Sequence, residues 1–498
     1  ANMFSKVKSC AVHGVDGRMI DVEADVNDGL PVFTMVGYLS SSVRESSERV
    51  RTALKNSGFH LPPKRITINL SPADMRKDGS GYDLAIATAV LLSLGVTAEL
   101  PMEQTLVLGE LSLDGSIKAI PGVLPMVICA REEGMTSCIV PKENVQEAAL
   151  VQGISVIGVS SLKETMEYIQ GIKEYENTNV EQPAVDTSEY LYDIDFSDVV
   201  GQESIKRGME IAAAGFHNVL LTGAAGAGKS MLAKRLPTIL PQMSFEESLE
   251  VTKIYSVGGM LPPEGGLIHR RPFRAPHHTI SEYALIGGGR VPTPGEVSFA
   301  HYGVLFLDEL PEFSKPVLEV LRQPLEDRRI RISRVQASYE FPADFMFVAA
   351  MNPCPCGNYP DYRRCSCTEQ QIRRYQSKVS GPLLDRIDIR MEVKGVKQEV
   401  LFSKQKTESS KTIRARVEQA RQMQKERFAG TGLLFNSQLD GKNLEEYITL
   451  SEEGKRLVLQ LFEEQELSVR GVHRVLKLAR TIAALAGSEE IEHAHLQE

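Results

Sequence analysis

The chain has 498 residues, of which 42% are hydrophobic and 24% are charged, a composition typical of an ordinary globular protein with about two to four domains. The formal net charge of −9 excludes a globally basic nucleic-acid binder but is compatible with local basic loops. No apolar run reaches transmembrane length and the N-terminus lacks a signal-peptide layout, so we expect a cytoplasmic protein without a membrane partner.

Residues 1–173 alternate between strand and helix signals and predict an α/β domain with its own core. Helices are expected at 40–57, 83–94 and 123–133, with Gly58 ending the first of them. Strands are expected at 7–12, 21–26, 65–70, 106–113, 137–141 and 155–159. Residues 174–190 are polar and lack apolar periodicity, so they predict a linker.

A phosphate-binding loop follows the apolar run Val219–Leu221 and precedes a helical pattern. The segment fits G-x-x-x-x-G-K-[ST], in which glycines let backbone N–H groups surround phosphates at a helix N-terminus. Lys229 is expected to reach the β- and γ-phosphates, and Ser230 to ligate Mg²⁺. The predicted nucleotide-binding residues of this loop are Gly223, Ala224, Ala225, Gly226, Ala227, Gly228, Lys229, Ser230 and Met231.

The apolar run at 304–307 ends in two acids about 80 residues beyond the loop. Asp308 is expected to complete the Mg²⁺ site, and Glu309 to polarise the attacking water. The two motifs together predict an ATP-hydrolysing enzyme. The alternative is a protein that binds nucleotide without hydrolysing it, and the presence of both Lys229 and Glu309 argues against that alternative.

Four of the seven cysteines fall within 14 residues, in two C-x-C pairs. Four thiolates suit a tetrahedral structural Zn²⁺, although an iron–sulfur cluster or four reduced cysteines are open alternatives. The predicted ligands are Cys354, Cys356, Cys365 and Cys367. A small loop held by metal would be able to present the nearby arginines to DNA; these are Arg363, Arg364, Arg373 and Arg374.

Further elements are predicted in residues 191–498. Residues 328–342 predict a β-hairpin and 345–352 a buried strand, while 411–427, 451–465 and a segment capped by Ser468 predict helices. If the hairpin lines the pore of a ring, Arg331 and Arg334 would contact DNA phosphates. A solvated edge strand is the alternative. Adjacent histidines, His277 and His278, indicate a loop or packing role more than a metal site.

Two segments resemble the proteolytic domain of Lon-type proteases and the related domain of the RadA recombination protein. They are Arg76–Val90 and Gly109–Gly122, the second followed by Ile139–Asn144. The resemblance places Gly81 at the nucleophile position and Leu124 at the lysine position, where neither residue can activate a hydroxyl. It therefore implies a Lon-like fold without proteolysis, used for assembly or nucleic-acid contact.

Longer strings resemble the magnesium-chelatase-like AAA+ ATPases of the ComM/YifB group. They include His269–His278, Ala284–Arg290, Leu307–Phe313 and Met351–Gly357, and the match runs essentially from end to end. One departure is the Gly-Ala-Ala-Gly of the phosphate-binding loop, where relatives usually carry Gly-Pro-Pro-Gly. This change puts the rigidity of the loop and its affinity for nucleotide in question.

The resemblance implies an α/β fold: a Lon-like domain at 1–173, an AAA+ core at 191–400 and a helical lid at 401–498. It also implies that Val200 and Gly201 hold the adenine, that Asn352 is the sensor-1 residue, and that Arg470 is the sensor-2 residue. Arg386 is implied as an arginine finger that reaches into a neighbouring subunit. The implied activity is that of an ATP- and Mg²⁺-dependent homo-hexameric helicase on single-stranded or branched DNA, with other recombination proteins as partners. A metal-chelatase motor and a nucleotide-switched assembly factor are the alternatives.

Overall fold

The computed structural model describes residues 3–175, 192–262, 266–395, 402 and 407–498. Most of the predicted linker at 174–190 lies outside these residues, and so does the predicted boundary at 400/401. The proposed domain limits therefore stay predictions. The predicted class is confirmed, because the chain forms a mixed α/β structure with a parallel-sheet core and a C-terminal helical region.

The N-terminal region is built on a seven-stranded sheet in the order β3-β4-β2-β1-β5-β8-β9. Its strands, with a separate two-stranded β6–β7 pair, are β1 (Phe4–His13), β2 (Asp16–Asn27), β3 (Phe33–Val36), β4 (Arg65–Ser71), β5 (Thr105–Val107), β6 (Glu110–Leu111), β7 (Ile117–Lys118), β8 (Ser137–Pro141) and β9 (Ser155–Val159). Its helices are α1 (Ser41–Arg44), α2 (Ser46–Asn56), α3 (Asp83–Ser93), α4 (Val123–Glu132), α5 (Val145–Ala148) and α6 (Leu162–Ile169).

Helices cover both faces of this sheet. Neighbouring residues of a strand point to opposite faces, and Cys10 packs in the cluster that contains α4, whereas Ala11 packs in the cluster that contains α3. The α3 helix is apolar on all sides, and ten of its eleven residues are buried. The region therefore has a core of its own on each side of the sheet.

Two elements of this region that were predicted as continuous are each divided in the structure. The expected helix at 40–57 is two helices that meet at Glu45, a turn residue whose ψ of −17° departs from the α-helical value of about −42°. The expected strand at 106–113 leaves the sheet after Val107. Its Gly109 instead pairs with the segment before α3, through hydrogen bonds of 3.0 Å from the Gly109 N–H to the Gly81 carbonyl and from the Leu84 N–H to the Gly109 carbonyl.

The second sheet has five parallel strands in the order β11-β14-β17-β10-β18. The strands from residue 192 onwards, which include two small separate pairs, are β10 (Val219–Thr222), β11 (Phe273–Arg274), β12 (Gly287–Gly288), β13 (Thr293–Pro294), β14 (Val304–Leu307), β15 (Arg329–Ser333), β16 (Ser338–Pro342), β17 (Met346–Met351) and β18 (Ile389–Glu392). The helices around them are α7 (Glu203–Gly215), α8 (Lys229–Arg235), α9 (Phe245–Val257), α10 (Glu282–Ile286), α11 (Glu296–Phe299), α12 (Lys315–Val320), α13 (Arg322–Asp327), α14 (Glu369–Gln376) and α15 (Gly381–Leu384).

The C-terminal region is helical, as expected. Its helices are α16 (Ser410–Arg427), α17 (Gly441–Tyr447), α18 (Glu452–Glu464), α19 (Val469–Leu485) and α20 (His493–Gln497). The Ser468 side chain caps α19 by accepting the Gly471 N–H at 3.1 Å, which confirms the predicted start of this helix. Among the described residues, no helix combines the length and the apolar character that a bilayer crossing requires.

The helical region is bound to the parallel sheet through a buried histidine. The His217 ring is 2.9 Å from Asp388 at Nδ1 and 2.7 Å from the Thr481 hydroxyl at Nε2. The Gln424 amide of α16 also donates to the Ala214 carbonyl of α7 at 2.8 Å. Buried polar contacts of this kind fix the orientation of the helices on the sheet.

The N-terminal region packs against α9 and the β15–β16 hairpin. The Gly122 N–H donates to the Ser256 carbonyl at 2.9 Å, and Lys253 is 3.0 Å from Asp16. The His13 ring stacks on Tyr339 of the hairpin at 4.5 Å.

Candidate nucleotide-binding site

Three predicted site segments meet at one edge of the parallel sheet. The phosphate-binding loop follows β10, Asp308 and Glu309 follow β14, and Asn352 follows β17. Strands β14, β17 and β10 are neighbours and run in the same direction, so their carboxyl ends lie side by side. Ligands of open α/β sheets bind at this edge.

The phosphate-binding loop needs glycine at specific positions. Gly226 and Gly228 have φ angles of +78° and +98°, in the left-handed region that glycine adopts without strain. A Cβ on Gly223 would lie 2.4 Å from the Val393 carbonyl oxygen, which is closer than any real contact. Gly228 then forms the N-cap of α8, so the loop ends on the helix N-terminus, where the dipole favours anions.

The side chains of this loop contact the two other segments. The Lys229 ammonium donates to Asn352 Oδ1 at 2.9 Å and to the Ala224 carbonyl at 3.1 Å, and it also contacts the Gly223 carbonyl. The Ser230 hydroxyl donates to Asp308 Oδ2 at 2.8 Å. The expected cation ligands are therefore in direct contact, although 78 residues separate them.

A cavity of about 910 Å³ opens at this edge. Lys229 lines it, and burial lowers the pKa of its ammonium against the opposing charges of Asp308 and Glu309. A lysine side chain that lines a cavity favours an anionic ligand there. The residues that line the cavity are Lys229, His278, Asp308, Glu309, Glu312, Met351, Asn352, Pro355, Cys356, Ser366, Cys367, Gln371, Arg374, Tyr375 and Lys378.

Glu309 has a left-handed backbone, with a φ of +53° and a ψ of +51°. Its N–H donates to Asp308 Oδ1 at 2.9 Å. This conformation is unfavourable for a residue with a Cβ by roughly 1–2 kcal/mol, and such positions cluster at functional sites. Asp308 accepts the hydrogen bond from Ser230, and both Asp308 and Glu309 line the cavity.

The segment expected at the adenine lies beside the loop. Arg235, at the end of α8, donates to the Asp195 carbonyl at 3.0 Å. Gln202 donates to the Lys394 carbonyl at 2.7 Å, next to the Val393 carbonyl that contacts the loop. Val200 and Gly201 are held between these contacts, and Gly201 has a φ of +75°. Their role in nucleotide binding stays a prediction.

The two remaining predicted catalytic arginines lie outside the cavity. Arg386 forms an ion pair with Glu326, and Arg470 is 3.1 Å from Asp385, the residue next to Arg386. The side chain of Arg470 is 71% exposed. Both arginines therefore belong to one exposed patch, and neither lines the cavity of its own subunit.

The four clustered cysteines converge, with their sulfur atoms all within 4.8 Å of one another. Cys354 Sγ is 3.3 Å from Cys356 Sγ and 3.8 Å from Cys365 Sγ. Tetrahedral Zn²⁺ with Zn–S bonds of about 2.3 Å requires sulfur atoms about 3.8 Å apart, so the set fits this ion. Backbone N–H groups, first that of Asn358, lower the pKa of the Cys356 thiol to about 6, which favours the thiolate that a metal binds.

The predicted hairpin is present, as β15 and β16. Its Ile330, Ile332, Tyr339 and Phe341 are buried, whereas Arg331 is exposed. Arg334 lies near the turn and donates from Nε to the Gly289 carbonyl at 3.0 Å, and Val335 in the turn is fully exposed.

The Lon-like site holds no catalytic pair. Gly81 and Ser80 line a second cavity of about 400 Å³, and no lysine is among the described residues around it. Leu124 is completely buried. The expectation of a Lon-like fold without proteolysis stays a prediction.

The sequence did not indicate several cavity residues. His278 comes from the loop after β11, Glu312 follows the Asp-Glu pair, and Gln371, Arg374 and Lys378 come from α14 and its C-terminal end. Arg374 is one of the four arginines that a metal-held loop would be able to present to DNA, and it lines this cavity. The signal for the α14 residues was their place next to the cysteine cluster, whose own position was not predictable from the sequence.

Family models match three parts of the chain. The model described as "Magnesium chelatase, subunit ChlI" matches residues 195–401. The model described as "Subunit ChlI of Mg-chelatase" matches residues 22–144, and the model of the ChlI C-terminal region matches residues 407–498.

Similar proteins extend over nearly the whole chain. Competence protein ComM of Haemophilus influenzae is 40% identical over 498 residues, which cover 99% of this chain and 96% of that protein. The uncharacterized protein YifB of Escherichia coli is 40% identical over 499 residues, with the same coverage. Lon protease 2 of Bacillus subtilis is 30% identical over 183 residues, which cover 33% of this chain and 32% of that protein.

Proposed function

The chain belongs to the magnesium-chelatase-like AAA+ family, in the group of ComM and YifB, and from this membership we propose that it is an ATP-hydrolysing ring motor on single-stranded or branched DNA. Membership in the family implies an ATPase. The observation that carries the proposal is the convergence of Lys229, Ser230, Asp308 and Asn352 at one edge of the parallel sheet.

The loop and the Asp-Glu pair are proposed to hold Mg·ATP. The residues that would hold Mg²⁺ are Ser230 and Asp308, whose oxygen atoms already lie 2.8 Å apart. Bound there, the ion would neutralise charge on the phosphates. Lys229 is proposed to bind the β- and γ-phosphates, together with the backbone N–H groups of the glycine-rich loop.

Glu309 is proposed as the group that orients the attacking water and accepts its proton. Glu309 lines the cavity, and its backbone is left-handed, a conformation that clusters at functional sites. Asn352, 2.9 Å from Lys229, is proposed to orient the same water against the terminal phosphate. A positioned general base contributes about 10²–10⁴-fold to a rate.

Arg386 and Arg470 are proposed to act between subunits of a homo-hexamer. Both are on one exposed patch away from the cavity of their own chain, which suits groups that reach a neighbour. An arginine supplied in this way contributes about 10³–10⁵-fold to a rate. The ring is therefore proposed as the active form.

DNA is proposed as the track of the motor. The resemblance to ComM, a competence protein, supports this choice, and so do the exposed Arg331 and the Arg334 near the hairpin turn. Recombination proteins are the proposed partners. The four cysteines are proposed to hold one structural Zn²⁺, which fixes the loop that carries them.

The test is the ATPase rate of the full chain with single-stranded, forked and duplex DNA. We expect single-stranded or forked DNA to raise the rate, and Glu309→Gln to lower it at least about 100-fold because the general base is lost. The control is Glu319→Gln, which changes an exposed carboxylate that pairs with Arg322 outside the cavity. A hexamer whose rate does not respond to any DNA contradicts the motor on DNA.

The names of the matched models favour a second candidate, a motor subunit of a metal-chelatase complex. Such a subunit would share the proposed ATPase residues but would not act on DNA. In the same assay this candidate predicts a rate that is insensitive to DNA, and an assembly factor switched by nucleotide predicts slow turnover under all conditions.

A further inference from the structure

The α14 helix connects the cysteine cluster to the nucleotide cavity. It begins two residues after Cys367, and Thr368 caps it by accepting the Gln371 N–H at 3.2 Å. Ile372 and Tyr375 are its buried residues. Gln371 and Arg374, three residues apart on α14, line the cavity and therefore share one face of the helix, and Lys378, two residues beyond its end, lines the cavity as well.

The loop and the helix are held against the phosphate-binding elements. The Gln376 amide donates to the Pro353 carbonyl at 3.0 Å, next to Asn352. A Cβ on Gly357 would lie 3.6 Å from the Ala225 N–H nitrogen, so the cysteine loop touches the phosphate-binding loop. The position of Arg374 is thus set by the same segment that holds the four thiolates.

The charge of Arg374 is not compensated by a neighbouring acid. Within the described ranges, its guanidinium forms no ion pair or hydrogen bond. The hydrogen bond that Arg374 accepts from the Ser377 hydroxyl, at 2.9 Å, goes to its main-chain carbonyl. The cavity also holds three acids, Asp308, Glu309 and Glu312. Beside Lys229 and the Mg²⁺ proposed at Asp308, Arg374 supplies a further positive charge that offsets these carboxylates for a polyanionic ligand.

We propose that Arg374, with Lys378 beside it, binds the terminal phosphate of the nucleotide in its own subunit, so that the cysteine loop is a part of the ATP site. The inference rests on the proposed ATPase function and adds a residue to it. Arginine suits this role because its planar guanidinium donates two parallel hydrogen bonds to phosphate oxygens. Arg374 then distinguishes ATP from ADP, because only ATP carries the terminal phosphate.

The test compares Arg374→Ala with Arg373→Ala in the full chain. Arg373 is the adjacent, equally exposed arginine of α14, and it does not line the cavity. We expect Arg374→Ala to weaken binding of Mg·ATPγS by about tenfold and binding of Mg·ADP by less than twofold. Arg373→Ala leaves both affinities unchanged, and Arg374→Lys gives an intermediate loss.

Equal losses for ATPγS and ADP, or no loss for either, overturn the inference. The thermal unfolding midpoint of Arg374→Ala is measured beside that of wild type. We expect no shift, because the Arg374 guanidinium forms no hydrogen bond or ion pair with any described residue. If wild type binds ATPγS but Arg374→Ala does so equally well, this inference fails alone. If wild type binds no ATPγS, the proposed ATPase fails with it.

A second measurement tests the role of the cysteine loop. Cys356→Ser is expected to lower the metal content of the purified chain and to weaken ATPγS binding about as much as Arg374→Ala. In the double variant the two losses do not add, because both remove the same contact. Fully additive losses contradict a link between the cluster and Arg374.

Discussion

Glu147 is a buried carboxyl that carries no predicted function but changes its protonation near neutral pH. It is 5% exposed in α5, and Asn144 donates to its Oε1 at 2.9 Å. Burial raises its pKa from 4.5 to about 7. The folded chain thus keeps this proton between pH 4.5 and 7, where the unfolded chain releases it. Stability therefore falls as the pH rises through this window, by about 3 kcal/mol in total.

We expect Glu147→Gln to remove this loss. The thermal unfolding midpoint of the variant at pH 8 should exceed that of wild type by roughly 5–10 °C, and the two should coincide at pH 4.5. Glu143→Gln, an exposed neighbour, is the control and should change neither value. A gain of equal size at both pH values would show that packing, and not the proton, is responsible.

The β15–β16 hairpin is the element whose proposed contact with DNA is most directly testable. Arg331 is exposed, whereas Arg329 on the same strand is 2.8 Å from Glu340. We expect Arg331→Ala to weaken binding of single-stranded DNA and to reduce the slope of log K against log salt by about 0.7, the value for one phosphate contact. Arg329→Ala, which removes a charge already paired, should have a smaller effect. An unchanged slope for Arg331→Ala assigns the hairpin to packing alone.

The cysteine loop is the second element with a direct test. Its sulfur atoms fit tetrahedral Zn²⁺, so we expect about one zinc per chain in the purified protein and loss of this metal in Cys354→Ser. Because bound metal stabilises the folded loop, the variant should also unfold at a lower temperature. Cys129→Ser, in the N-terminal sheet region, should retain the metal. Iron together with acid-labile sulfide would identify an iron–sulfur cluster instead.

At the scale of the whole molecule, the catalytic site is proposed to be complete only between two subunits. Arg386 and Arg470 share an exposed patch that includes Asp385 and Glu326. Asp388, on the same segment as Arg386, is connected to α19 through His217 and by a 3.6 Å contact with Lys477. Movement of the helical region would therefore carry this patch with it.

We expect Arg386→Ala and Lys229→Ala to be inactive alone, each at least about 10³-fold below wild type, and active when mixed. A Lys229→Ala subunit still supplies its arginine to the intact loop of an Arg386→Ala neighbour, and the ATPase rate of mixed rings measures this. The control is a mixture of Lys229→Ala with Glu309→Gln. Lys229 and Glu309 line the same cavity of one subunit, so no site in this mixture has both of them, and it should stay inactive. A mixture of the first pair that is no more active than its components places Arg386 outside the reaction.

Features that depend on neighbouring residues are predictable from the sequence. Strand alternation, the cap at Ser468, the phosphate-binding loop, the Asp-Glu pair and the cysteine pairs are local patterns, and the structure contains each of them. The break of the predicted helix at Glu45 was not predictable in this way, because it depends on one ψ angle and leaves the apolar pattern unchanged.

Which of these patterns meet in space depends on tertiary packing. Lys229 and Asn352 are 123 residues apart in sequence and 2.9 Å apart in space, because parallel pairing places the ends of β10 and β17 side by side. The same packing brings α14 to the cavity and makes Arg374 one of its lining residues, a position that the sequence did not indicate. Contacts of this range depend on the order of strands in the sheet, and no local pattern in the sequence encodes that order.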